Sequence, residues 1–163
     1  IVETKTYRKG ETVLKVSQTN RKLYFINDGL LKVSFFKEDK EFVMKFFSKH
    51  EFCAVLDSLT TNQPSYYTIV ALEDVTLVEI NFHELQKLAA QNQRVEKIIS
   101  SISSIATSKM MARIRELLET EAKERYLNFL AHNSHLVNRV SLKDLSAYLG
   151  VSQVSLSRIR AKL

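Results

Sequence analysis

The sequence predicts an α+β protein: an antiparallel β unit, then one long helix, then a small helical unit that ends in a helix-turn-helix. Three observations predict this. Apolar residues alternate with period 2 up to about residue 80. A helical period replaces it after Ile80 and runs to a break at His132-Asn133-Ser134. The last two dozen residues, Val140 to Leu163, read as two short helices about a single glycine, Gly150.

Taken in order, Leu23-Tyr24-Phe25-Ile26, Leu31-Lys32-Val33-Ser34-Phe35 and Phe42-Val43-Met44-Lys45-Phe46 have strand patterning. Thr68-Ile69-Val70-Ala71-Leu72 and Val75-Thr76-Leu77-Val78-Glu79-Ile80 add β-branched runs. Lys9-Gly10-Glu11, Asn27-Asp28-Gly29, Lys37-Glu38-Asp39-Lys40 and Glu73-Asp74 supply the reversals, and Asn27-Asp28-Gly29 has hairpin chemistry. Short strands at this spacing suggest a small sandwich or barrel.

Asn81 with Glu84 makes a capping-box pattern for a helix to about Asn92. A second, longer helix from about Gln93 to Glu119 carries Val95, Ile98, Ile99, Ile102, Ile105, Ala106, Met110, Ile114, Leu117 and Leu118. At about 1.5 Å per residue it is roughly 40 Å long, more than a small β unit can cover. Ile98, Ile102, Ala106, Met110, Ile114 and Leu117 are therefore expected to pair with a second copy, the alternative being a helix packed on its own domain. Thr120 is expected to cap a further helix, Glu121 to about His132, with Tyr126, Leu127, Phe129 and Leu130 as its core face.

In the final segment Leu142, Leu145 and Leu149 share one helical face, and Gly150 tolerates positive φ at the corner. Ser152 can cap a second helix whose apolar side is Val151, Leu156 and Ile159. Its other side carries Gln153, Ser155, Ser157, Arg158, Arg160 and Lys162. Such a pair has the parts a DNA reader needs: a buried face that fixes the interhelical angle and a protruding row of donors for the major groove. An ordinary αα-hairpin shares the first property.

The whole chain, 163 residues with a net charge of +6 and a pI near 9.4, leans toward a polyanionic partner. From Thr120 onward seven Lys/Arg face three Asp/Glu, leaving seventeen against fifteen before it, so the surplus lies at the C-terminal end. One cysteine, Cys53, excludes an internal disulfide or an all-cysteine metal site, and its apolar surroundings suggest a buried small hydrophobe. His50, His83, His132 and His135 have no metal-ligand spacing, so no metal is expected. No run approaches the ~20 apolar residues of a membrane span, and Ile1 opens no signal peptide, so a cytoplasmic location is expected. The missing initiator Met implies a chain that is processed or begins inside a longer product.

Several of these segments resemble the CRP/FNR family of transcription regulators. The run Leu23 to Val33 is similar to the signature of cyclic-nucleotide-binding β-rolls. Ala71-Leu72-Glu73-Asp74, Lys123-Glu124-Arg125-Tyr126 and Leu156-Ser157-Arg158-Ile159-Arg160 follow in the family's order. The resemblance spans essentially the whole chain. It implies a double-stranded β-helix (jelly-roll) sensor over 1–92, a coupling and dimerisation helix over 93–119, and a winged-helix-type helix-turn-helix over 120–163, with the recognition helix at about 152–162. It further implies a homodimer on a palindromic operator, with RNA polymerase as a partner and no catalysis. The resemblance puts base contacts on Gln153, Val154 and Arg158. Arg can bond guanine and Gln adenine, whereas Val154 could only press on a thymine methyl. Ser152, Ser155, Ser157, Arg160, Lys162 and Lys143, with Ser141, would face DNA as well, mostly on phosphates.

The ligand site departs from the family. Where cyclic-AMP binders have Gly-Glu and later Pro-Arg, this chain has Ala54-Val55 and Pro64-Ser65, followed by Tyr66. A cyclic phosphate there would lack its cationic partner. Usual cyclic-nucleotide binding is therefore not expected, no cofactor is predicted, and the pocket candidates Ala54, Val55, Pro64, Ser65 and Tyr66 await an unknown effector. The family's β-wing would lie past Leu163 and is expected to be short, disordered or cut away. Two other classes stay open. One is a sensing module that acts through protein partners without DNA. The other is a cupin-like enzyme, which His50, alone in the β unit, makes improbable.

Overall fold

A computed structural model describes residues 1–163. Eight strands come first: β1 (Val2–Tyr7), β2 (Thr12–Leu14), β3 (Lys22–Asp28), β4 (Leu30–Lys37), β5 (Lys40–Ser48), β6 (Phe52–Cys53), β7 (Thr68–Ala71) and β8 (Val75–Asn81). A short helix, α1 (Leu56–Thr61), interrupts them between β6 and β7. They form two four-stranded antiparallel sheets, ordered β1-β8-β3-β6 and β2-β7-β4-β5. The fold is the α+β double-sheet roll with C-terminal helices that the resemblance implied.

Asn27-Asp28-Gly29 is not a hairpin. Strands β3 and β4 lie in different sheets, and the segment is the corner where the chain crosses between them. Gly29 has φ 99, and a Cβ there would stand 2.5 Å from the Asp74 carbonyl oxygen. Both the left-handed backbone and the close approach demand glycine. The charged reversal at Glu38-Asp39 is a true hairpin, with Lys37 opposite Lys40 across β4 and β5. A bulge between Val33 and Ser34 shifts the register of that pair. The roll closes on Tyr24, Ile26, Leu31, Cys53, Ile69 and Leu77, and Cys53 is fully buried.

Helices follow: α2 (Phe82–Gln91), α3 (Gln93–Glu119), α4 (Ala122–His132), a 3-10 turn at Ser134–Leu136, α5 (Leu142–Leu149) and α6 (Gln153–Arg160). The Asn81 side chain accepts from the Glu84 amide, but the capping box does not close, because Asn81 N–H donates to the Ile1 carbonyl and Glu84 pairs with Lys87. Helix α3 has the span its periodicity predicts, and Asn92 caps it. Thr120 ends α3 instead of opening α4: its hydroxyl donates to the Glu116 carbonyl, 2.7 Å away, and Glu121 precedes α4 without a side-chain cap.

The helical unit does not stand apart from the roll. Leu30, Val43 and Phe46 of the roll share one core with Tyr126, Phe129, Leu136, Val140, Leu145, Leu149 and Leu156. The Phe46 ring lies 5.3 Å from Tyr148 and 6.4 Å from Phe129. This seam fixes where α5 and α6 sit on the roll.

Candidate nucleic-acid interface

Helices α5 and α6 meet at Gly150, whose φ of 72 ends α5 in the left-handed conformation. Ser141 caps α5 by accepting from the Asp144 amide, and Ser152 caps α6 by accepting from the Ser155 amide. Leu145, Leu149 and Leu156 are fully buried and set the angle between the helices. The opposite side of α6 is open: Gln153, Val154, Ser155, Ser157, Arg158 and Arg160 are all exposed, as are Lys162 beyond its end and Lys143 and Ser141 at the start of α5. The structure thus leaves all of these sequence candidates accessible.

Two of them are partly committed elsewhere. The Ser152 hydroxyl serves as the cap and also contacts the Ser155 hydroxyl at 2.9 Å. The Arg160 guanidinium lies over the Tyr126 ring, 5.6 Å from its centroid. Val154 is 60% exposed, so an apolar side chain projects to solvent from α6.

Sequence reasoning missed the residues that hold this unit in place. At the C-terminal end of α5, Arg113 of α3 donates to the Tyr148 carbonyl, stacks 3.9 Å from the Tyr148 ring and pairs with Glu116. Arg125 donates to the Leu149 carbonyl at 3.0 Å and to the Thr120 carbonyl. Both cations sit where a helix leaves its last carbonyls unpaired. At the N-terminal end, Lys32 of the roll reaches Asp144 at 2.6 Å and Glu41 at 2.8 Å, with about a tenth of each side chain exposed. Burial disfavours the Lys32 ammonium, but its hydrogen bonds to Asp144 and Glu41 outweigh this and hold its pKa above the ordinary lysine value. Arg139 grips Glu73 through two hydrogen bonds of 2.8 and 2.6 Å and donates to the Gly29 carbonyl. The pairs Arg113–Tyr148, Arg125–Leu149, Lys32–Asp144 and Arg139–Glu73 lie 24 to 112 residues apart along the chain, so no local pattern announces them.

The dimerisation candidates lie on a helix with no buried residue. Ile98, Met110, Ile114 and Leu117 are exposed, while Ile102 and Ala106 are half-buried.

The pocket candidates are spread over different surroundings. Val55 belongs to the roll core and Ala54 is half-buried. Ser65 is buried with its hydroxyl bonded to the Tyr67 backbone, Pro64 is exposed and bridges Thr19, and Tyr66 is 80% exposed. A cleft of about 490 Å³ opens beside the Pro64–Ser65 segment without any of the five candidates in its lining, which includes Thr19, Asn20, Arg21, Lys22, Tyr24 and Glu79. Its buried groups satisfy one another. Glu79 accepts from Tyr7 at 2.6 Å and from Lys22, with Lys5 3.3 Å away, and Asn20 is bonded to Lys22, Tyr24 and Ser58. Burial works against the Glu79 charge, yet these donors hold its pKa below the ordinary carboxylate value.

A double-sheet roll, a long helix and a C-terminal helix-turn-helix together define the CRP/FNR regulator fold. Similar solved structures include FixK2 from Bradyrhizobium japonicum (TM-score 0.87, 17% identity, covering 100% of this chain and 84% of that one). TTHA1359 from Thermus thermophilus, a CRP/FNR transcriptional regulator, is similar at TM-score 0.78 and 18% identity over 99% of this chain and 85% of that one. The c-di-GMP responsive regulator CLP from Xanthomonas campestris matches at TM-score 0.79 and 18% identity over 99% and 86%. No curated protein sequence matches the chain. Residues 4–92 match the cyclic nucleotide-binding domain family, and the chain belongs to that family.

Proposed function

We propose that the protein is a sequence-specific, DNA-binding transcription regulator that acts as a homodimer in the cytoplasm and is not an enzyme. The observation that carries the reading is α6 itself: Leu156 fully buried beneath a row of exposed Gln153, Ser155, Ser157 and Arg158. Gln153 and Arg158 read base edges and Val154 meets a thymine methyl. Ser155, Ser157, Lys143 and Lys162 grip the backbone, with Arg160 released from Tyr126 and Ser152 aiding through its cap. The α3 helices pair through Ile98, Ile102, Ala106, Met110, Ile114 and Leu117. That pairing sets two recognition helices roughly 34 Å apart on a palindrome. RNA polymerase is the expected partner of the bound dimer.

The roll is a sensor or a docking platform that does not take cyclic AMP in the usual way, since no Lys or Arg lies between His50 and Thr68 to meet a cyclic phosphate. Selection of bound DNA from a random pool tests the reading. A palindromic consensus whose affinity falls steeply with salt supports it. Recovery of no sequence preference at any salt concentration overturns it and leaves the protein-partner class.

A further inference from the structure

The Lys32–Asp144 contact crosses from the roll to the first helix of the helix-turn-helix, and it is the most buried ion pair that does so. Asp144 lies in the first turn of α5, where it also accepts from the Ser141 hydroxyl at 2.6 Å. Lys32 lies on β4, three residues after Gly29, whose carbonyl receives Arg139. Between them Leu30, fully buried, enters the core shared with the helical unit. One corner of the roll therefore anchors the reading unit by backbone, apolar and ionic contacts. Lys32 has a second partner, Glu41, within the roll itself. Only Asp144 ties the cation to the other unit.

We propose that Lys32 is a positioning residue for DNA reading: through Asp144 it holds α5, and with it the recognition helix, at a fixed angle on its own roll. It touches no DNA and acts on affinity through the placement of α6. The inference rests on the DNA-reading function proposed above, and its test separates the two.

The informative variant is Asp144→Asn, which keeps the side-chain shape and removes the ionic tie. Glu41→Gln is its control, because it removes a Lys32 partner that does not span the seam. Spin labels on Asp39→Cys and Ala161→Cys, diluted with unlabelled chain, read the distance from roll to reading unit. Cys53 is fully buried and does not take label. The expected result for Asp144→Asn is a broadened distance distribution and specific affinity lower by on the order of tenfold, a typical coupling between sites. Affinity for random DNA should hold or rise, since removing a negative charge favours a polyanion. Glu41→Gln should leave both readouts near wild type.

A distribution as narrow as wild type in Asp144→Asn overturns the proposal. So does a broadened one with unchanged specific affinity, or an equal loss from Glu41→Gln. If the unaltered protein binds no DNA, the proposed function fails, and the distances still report whether Lys32 positions the unit.

Discussion

Phe46 is where the joint between roll and helical unit can be tested most directly. Its ring is 4% exposed and contacts Tyr148 and Phe129 of the helical unit. It is not part of the roll's own central core. Phe46→Ala removes a buried aromatic side chain and should cost about 3–5 kcal/mol. Two ring pairs at about 0.5–1.5 kcal/mol each account for about 1–3 kcal/mol of that. The loss should fall on the seam. Urea unfolding at fixed protein concentration reads it twice, by far-UV circular dichroism for the helices and by amide hydrogen exchange of the buried strands for the roll. Wild type should unfold in one transition, because one core spans both units. In Phe46→Ala the helical signal should be lost at lower urea than the roll signal. A variant that keeps a single transition and loses less than about 1 kcal/mol, the size of an ordinary surface change, would refute the shared core as a mechanical joint.

Arg158→Ala should weaken operator binding by about 1–3 kcal/mol and relax preference at one base per half-site, measured on a panel of single-base operator variants. Equal losses on operator and random DNA would move Arg158 to the backbone contacts. Ile114→Glu, at a position 46% exposed on α3, should leave the fold intact and yield monomers in sedimentation; a persistent dimer places the interface elsewhere. The Glu79 pKa is held below 4.5, so its contribution to stability is present above that value and lost as pH falls through the depressed one. Stability measured from neutral pH down to about pH 3 should therefore drop more steeply in wild type than in Glu79→Gln, and parallel curves would contradict the assignment.

The sequence reported what depends on near neighbours. The long helix and both short C-terminal helices were legible because period 3.6, Ser152 and Gly150 act within a few residues. Strands β1, β2 and β6 were not singled out. Strand β1 (VETKTY) is mostly exposed and gains its place from β8, more than sixty residues on, while β2 and β6 have only three and two residues. Asn27-Asp28-Gly29 read as a hairpin because turn chemistry is the same whether the next strand pairs back or leaves for the other sheet. What chose was the close approach of Gly29 to Asp74, a contact 45 residues away. On the reading surface, residue types on α6 could be listed from the sequence. The side chains that aim the helix could not, since Lys32, Arg113 and Arg139 look like ordinary surface cations until the fold brings their partners.

Those hidden contacts bear on how any signal would reach the proposed reading helix. Helix α5 is held at both ends: Asp144 near its start by Lys32 of the roll, and the Tyr148 and Leu149 carbonyls at its finish by Arg113 and Arg125. Arg113 belongs to α3, the proposed dimer helix, so the far end of α5 answers to the partner interface and the near end to the roll. Turning the reading unit about its own roll must break one attachment while the other serves as a pivot. Breaking the Lys32 end separates an ion pair with about a tenth of each side chain exposed, leaving Lys32 with Glu41 alone and Asp144 with the Ser141 hydroxyl. At the other end α5 is held by hydrogen bonds to its last carbonyls and one stacked ring, and the Arg113–Glu116 pair lies within α3 and need not open when α5 moves. A shift of α3 is therefore the lower-energy route to move α6, with Lys32 as the fixed point. On this argument Arg113→Ala should broaden the placement of α6 about a retained Lys32–Asp144 contact, whereas Asp144→Asn should loosen the near end of α5 while the Arg139–Glu73 pair and the shared core keep the unit on the roll. Identical distance distributions from the two variants would show that the ends of α5 are not independent and that the pivot does not exist.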